Sequence, residues 1–163
     1  VVKCTMNFHR FAGNAQTAID EKGRTAFPRE FRRQLGDDEK ENLVISCGPE
    51  GSLRLFVYAE YERFMAELDN MPDRRQAEIV RGKMLTTLVT LDSQNRILIP
   101  KRLLDKAGLK GEVFWIPSHG KTLAMWNPET YNAKFPQDTE ESQAIFDSVF
   151  YGQGLTGNSN ART

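Results

Sequence analysis

Two cysteines, two histidines and no excess of either charge mark this 163-residue sequence at first sight. Cys4 and Cys47 are too few and too far apart for a disulfide framework or a zinc site, so a reducing compartment is the simplest expectation. His9 and His119 have no partner at metal-ligand spacing, which argues against a bound catalytic metal. No apolar run approaches the roughly 18 residues of a membrane-crossing helix, and the first residues lack the apolar core of a secretory signal. A cytoplasmic chain with no membrane partner is therefore expected. No nucleophile–base–acid arrangement, phosphate-binding glycine loop or spaced carboxylate pair is present either, so neither a catalytic residue nor a cofactor is expected. Finally, 22 basic side chains face 22 acidic ones, giving a net charge of zero. By itself that balance speaks against a protein coated in positive charge for nucleic acid.

What the sequence does contain is one pattern written twice. IDEKGRTAFPREFRRQLG begins at Ile19 and LDSQNRILIPKRLLDKAG at Leu91. Without a gap they match at Asp20/Asp92, Arg24/Arg96, Pro28/Pro100 and Gly36/Gly108, each pair 72 residues apart. The apolar pairs Ile19/Leu91, Phe27/Ile99 and Phe31/Leu103 agree as well. A fixed period points to duplication of one supersecondary unit, and two copies are too few for a solenoid. In each copy a strand ends at the aspartate, three residues turn, and a second strand begins at the arginine. The last position of such a loop takes a left-handed backbone, which glycine adopts most easily and asparagine next. Gly23 and Asn95 stand there. Proline follows at the first turn of a helix, where its missing N–H costs little, and the helix stops at Gly36 or Gly108.

Downstream, LVIS and LRLFV in the first half and EVFWI and LAMW in the second read as strands, with helices near Tyr58–Leu68 and Glu129–Phe135. Pro72-Asp73 opens a helical run through Val80, and MLTTLVTLD reads as the strand leading into the second copy. Trp115, Trp126, Phe56 and Phe114 are expected in the core. Residues 136–150 suggest a last amphipathic helix through Ala144, Ile145 and Val149, and the tail from Tyr151 has little to bury and is expected to fray.

Divided along the chain, the zero net charge becomes a sum of opposing blocks. Residues 1–36 carry a net of +4, residues 37–73 a net of −7, residues 74–126 a net of +6 and residues 127–163 a net of −3. Both positive blocks hold a repeat motif, which permits a local basic face. For Arg24 and Arg96 the residues alone leave two readings open. One is an ion pair with Asp20 or Asp92 that holds the loop, although exposed pairs add little stability. The other is a guanidinium fork that the aspartate aims at guanine O6 and N7 in the major groove. Lys22, Arg29, Arg32, Arg33, Lys101, Arg102 and Lys106 suit phosphate positioning better than base reading, with about half of the helix basics expected to be solvated surface. Arg74-Arg75 opposes the dipole at a helix start, a weak pointer to an anionic partner.

The paired D-x-x-x-R motifs, each followed by a strand and a Pro-initiated helix, resemble the MraZ family within the AbrB-like swapped-hairpin DNA-binding proteins. Phe11-Ala-Gly13 ahead of Asp20 and NRILIPKRL in the second half fit that pattern too. The likeness covers roughly Phe11 to Lys134. Asn95 stands where the family usually has glycine, Met84-Leu85-Thr86 replaces a small glycine-containing segment, and residues 1–10 precede the usual start, with Met6 a candidate initiator.

The resemblance implies an α+β fold in which two pseudo-symmetric strand–turn–strand–helix repeats form an interleaved β-barrel with outer helices. It divides the chain into a first half (11–70), a second half (71–135), a C-terminal helix and tail (136–163) and an N-terminal extension (1–10). It further implies a bacterial, nucleoid-associated regulator of the division and cell-wall genes. Such a protein would bind tandem, short, G-rich promoter repeats in double-stranded DNA as a ring-shaped homo-oligomer. The arginines associated with DNA contact map to Arg24 and Arg96, with Asp20, Asp92, Lys22, Arg29 and Lys101 beside them. Two other readings compete: a pseudo-symmetric barrel that binds a small ligand or acts as an enzyme, and an antitoxin-type partner of another protein.

Overall fold

Unbroken apolar runs identify the strands that are covered on both faces. The computed structural model describes residues 8–152, so Cys4, Met6 and the tail from residue 153 lie outside it. Eight strands are formed: β1 (Ala15–Ala18), β2 (Arg24–Ala26), β3 (Leu43–Cys47), β4 (Leu53–Val57), β5 (Thr87–Val89), β6 (Arg96–Leu98), β7 (Glu112–Pro117) and β8 (Thr122–Trp126). Helices intervene as α1 (Arg29–Arg32), α2 (Asp37–Glu41), α3 (Tyr58–Asp69), α4 (Arg74–Met84), α5 (Lys101–Ala107), α6 (Pro128–Lys134) and α7 (Glu140–Phe150). The chain is mixed α+β, with every strand pair antiparallel.

Six strands make one sheet in the order β1-β7-β8-β4-β3-β5, and β2 and β6 make a separate two-stranded ribbon. Strands of the first and second halves meet at β1–β7, β8–β4 and β3–β5. The sheet formed by the described residues is open rather than closed on itself. β2 and β6 are three residues each, and among the described residues the ribbon is bridged toward β1 by Ile19 with Thr25.

Strand alternation sorts side chains onto two cores. Leu53, Leu55 and Val57 of β4, with Leu43, Ile45, Val113, Trp115, Leu123 and Met125, face the ribbon's Ile97 and the helix residues Phe31 and Leu103. Phe27 meets Trp115 edge-on with ring centroids 5.5 Å apart. The opposite face of β3 and β4 presents Val44 and Phe56 to a smaller cluster with Leu68 of α3 and Met84 of α4. Trp126 is buried and Phe114 half-buried. Among the described residues, those up to Pro128 form one compact unit and those from Glu129 a second. Within the second, Thr139 and Ser142 cap α7 reciprocally, and Phe146 stacks on Phe150 at 4.6 Å.

Several local expectations are corrected. Pro28 and Pro100 sit at the N-cap rather than inside the first turn, with φ −57° and −56° and ψ 134° and 141°. Gly108 ends α5 in the left-handed conformation at φ 59°, but Gly36 is extended and opens α2 instead. Its N–H donates to Glu39 Oε1 at 2.8 Å, so the chain re-enters a helix that buries none of its residues and left no apolar period to read. The strand expected from Met84 starts only at Thr87, because Met84 completes α4 and Leu85 turns left-handed at φ 50°. That conformation falls where the resembled pattern carries a small glycine-containing segment.

Candidate nucleic-acid interface

Both repeat loops close with the same hydrogen bonds. Asp20 N donates to Arg24 O at 2.9 Å and Gly23 N to Asp20 O at 3.0 Å; Asp92 N donates to Arg96 O and Asn95 N to Asp92 O, each at 2.9 Å. Gly23 has φ 86° and Asn95 φ 59°, the left-handed residues such a loop requires. A Cβ on Gly23 would lie 2.8 Å from the carbonyl oxygen of Ile99, so glycine is needed there for space as well as for φ.

Each aspartate then organises its loop and its arginine together. Asp20 Oδ1 accepts from the backbone N–H of Lys22 and of Arg24, both at 2.9 Å, and Oδ2 accepts from Arg24 Nε at 2.7 Å. Asp92 Oδ1 accepts from Gln94 N at 2.8 Å and Arg96 N at 2.9 Å, and Oδ2 from Arg96 Nε at 2.9 Å. The backbone N–H of Arg24 is the leading reason that the Asp20 carboxyl lies below the usual carboxylate range. Desolvation is the next largest influence and opposes it, and the Arg24 side chain and Lys22 N–H add to the lowering. Asp92 is lowered in the same way, led by Arg96 N–H and reinforced by Gln94 N–H and the Arg96 side chain. With Nε held, the two Nη groups of each arginine meet no acceptor among the described residues. They form a fork with fixed direction.

The ribbon puts both forks on one surface. In the register Arg24–Leu98, Thr25–Ile97 and Ala26–Arg96, Thr25 and Ile97 point into the core. Arg24, Ala26, Arg96 and Leu98 therefore share the outer face. The two arginines occupy a diagonal pair, for which Cα atoms stand roughly 7–8 Å apart. The copies are stitched across this axis: Phe27 N donates to Asn95 O and Ile99 N to Gly23 O, both at 2.9 Å. Each strand therefore leaves the ribbon beside the other copy's loop. The helix start bearing Lys101 thus lies beside the Arg24 loop, and that bearing Arg29 beside the Arg96 loop.

Lys22, Arg29, Arg33, Lys101, Arg102 and Lys106 are all exposed, and Arg32 is half-buried. Lys22 lies in the loop itself. Arg74 donates from Nη1 to Asp69 O at 3.1 Å, and Asp73 caps α4 by accepting from Gln76 N at 3.1 Å.

Two features of the interface escaped the sequence reading. Leu98 is 56% exposed beside the arginines, although the run ILI gave no sign of which residue faces out. A hydroxyl relay anchors the ribbon: Trp115 Nε1 donates to Thr17 Oγ1 at 2.8 Å, the Thr17 and Thr25 hydroxyls meet at 2.7 Å, and Thr25 Oγ1 donates to Ala18 O at 2.8 Å. Trp115 is 98 residues from Thr17, so only folding reveals the contact.

A strand–loop–strand unit thus occurs twice and displays two Nε-tethered arginines on the outer face of one β-ribbon. The family model described as "MraZ protein, putative antitoxin-like" matches residues 10–80 and 84–148. A protein named transcriptional regulator MraZ from Burkholderia cenocepacia is 32% identical over 126 residues, covering 76% of this chain and 87% of its own. Another of that name, from Thioalkalivibrio sulfidiphilus, is 31% identical over 150 residues, covering 85% and 98%. A third, from Lachnoclostridium phytofermentans, is 29% identical over 133 residues, covering 80% and 91%. The chain belongs to the MraZ family.

Proposed function

We propose that this chain is a sequence-specific, double-stranded-DNA-binding transcriptional regulator without catalytic activity. Arg24 and Arg96 read bases, Asp20 and Asp92 aim them, and Lys22, Arg29 and Lys101 hold phosphates. One observation carries this reading: two equivalent arginines, each tethered through Nε, stand together on the outer face of one ribbon. The major groove admits a two-stranded β-ribbon, and a guanidinium fork is the commonest partner of guanine O6 and N7. Such forks suit guanines, and the family resemblance implies short G-rich sites.

Two forks per protomer discriminate only modestly. Useful affinity then requires several subunits on one DNA, which suits a ring-shaped homo-oligomer engaging tandem short repeats. The division and cell-wall gene cluster is the target implied by the family resemblance, and binding there would associate the protein with the nucleoid. The interleaved, barrel-like packing of the two halves belongs to the same proposal: first-half strands pair with second-half strands, and the ribbon, joined through the Ile19–Thr25 bridge, packs on the large-core face of the open sheet.

The test is a gel shift at low salt on DNA upstream of the host's division and cell-wall genes, with a scrambled duplex as control. Retarded bands on the promoter DNA alone, abolished by Arg24→Ala with Arg96→Ala, are expected. Absence of binding at low salt, or equal retardation of the scrambled duplex, refutes the reading.

A further inference from the structure

A different kind of arginine lies on the face of the sheet turned away from the ribbon. Strand alternation sends Leu53, Leu55 and Val57 of β4 into the large core and Arg54 to the opposite face, alongside Phe56 and beneath α3. Its cross-strand neighbours are Ser46 on β3 and Ala124 on β8, both small, which leaves open space above the guanidinium. Arg54 Nε is shielded from solvent and has no hydrogen-bond acceptor. Burial alone pushes its pKa down, with no carboxylate among the described residues opposing that shift. A buried donor left unpaired is costly, so its retention in a cavity wall calls for a partner.

The cavity over Arg54 measures about 380 Å³, and Arg10, Arg63, His9 and His119 converge on it. Two acids also line it, but Glu60 already accepts from Arg63 Nη1 at 2.8 Å. That leaves Glu67 against Arg10 and Arg54, a net positive site before either imidazole is counted. Phe56 and Phe64 form part of its wall and also line a neighbouring cavity of about 410 Å³ that reaches Val80 and Met84. Cationic and apolar walls thus meet at Arg54. Guanidinium forks bind tetrahedral and planar oxyanions bidentately, and several converging cations favour the more highly charged phosphoryl group.

We infer that this face binds a small phosphomonoester, its phosphoryl head on Arg54 and its apolar body against Phe56 and Phe64. The site is separate from the ribbon and independent of the DNA reading.

Its test uses the full chain without DNA, at constant ionic strength set with chloride. Phenyl phosphate and inorganic phosphate are titrated separately, following the Arg54 Nε–Hε resonance by NMR. Saturable one-to-one shifts are expected, with phenyl phosphate at least tenfold tighter than inorganic phosphate. Arg54→Lys, which keeps charge but loses the fork, should weaken phenyl phosphate at least tenfold, read by isothermal titration calorimetry with folding checked by circular dichroism. Arg63→Gln provides a second variant on an exposed position and should weaken binding severalfold. No saturable shift, equal affinity for the two probes, or unchanged binding in both variants overturns the assignment. So does a change in assembly mass on Arg54→Lys, which would give Arg54 a neighbouring copy as its partner.

Discussion

Arg24 and Arg96 each give Nε to an aspartate and keep the terminal fork outward, so charge and shape have separate consequences. Arg24→Lys retains the positive charge but loses both the Nε tether and the planar fork. It should keep most phosphate-driven affinity while losing about 1–3 kcal/mol of discrimination for guanine, measured by competition between matched and mismatched duplexes. Asp20→Asn should do the same more mildly, since an amide still accepts at one oxygen. The aspartates also set an acid limit. Their folded pKa values lie below the unfolded value of about 3.9, so their contribution to loop order is complete above that value. It is lost only as pH falls through the lowered folded value. The Nε–Hε resonances of Arg24 and Arg96 should stay constant from pH 8 to 5 and collapse toward the exposed-arginine position on further acidification.

At the scale of elements, the two loops share one backbone but tolerate different changes. Gly23 is left-handed and lies against the Ile99 carbonyl, whereas Asn95 already carries a Cβ at the equivalent place. Gly23→Ala should therefore cost about 1–3 kcal/mol, while Asn95→Gly should change stability by less than about 1 kcal/mol, both read from urea midpoints. The ribbon's attachment offers another check. Thr25→Val keeps the shape but removes the hydroxyl between Thr17 and the Ala18 carbonyl, and about 1–3 kcal/mol should be lost. The D-x-x-x-R loops, their left-handed residue and most strands were legible because each depends on neighbours in sequence. Helix α2 and the start of β5 were not: α2 buries nothing and so shows no period, and Met84 reads as strand until its packing against Leu68 and Phe56 makes it the end of α4.

For the whole molecule, the proposed function makes binding a sum of few forks and many phosphates. Affinity for promoter DNA should fall steeply with salt, the logarithmic slope reporting the phosphates neutralised. Lys22→Ala should reduce that slope by about 1 per engaged protomer without altering sequence preference, whereas Arg24→Ala should alter preference. Shortening a tandem site to one repeat should weaken binding far more than any single lysine does, because the linked sites act at high effective concentration. Gel shifts over a salt series on one-repeat and multi-repeat duplexes separate these terms.

The net charge of zero was already resolvable in the sequence into basic blocks around each motif, and the duplication, the loops and their left-handed residues followed from spacing and backbone sterics alone. Folding decided which copy each helix start accompanies, because the Phe27–Asn95 and Ile99–Gly23 hydrogen bonds cross between repeats. It also decided that both arginines share one outer face, a matter of strand register. Nor does anything local in the sequence distinguish Arg54 from the other arginines. Its isolation depends on Ser46 opposite it on the adjacent β3 and on Ala124, which β8 brings from far along the chain, and no local pattern records which remote small side chain will leave a cavity open.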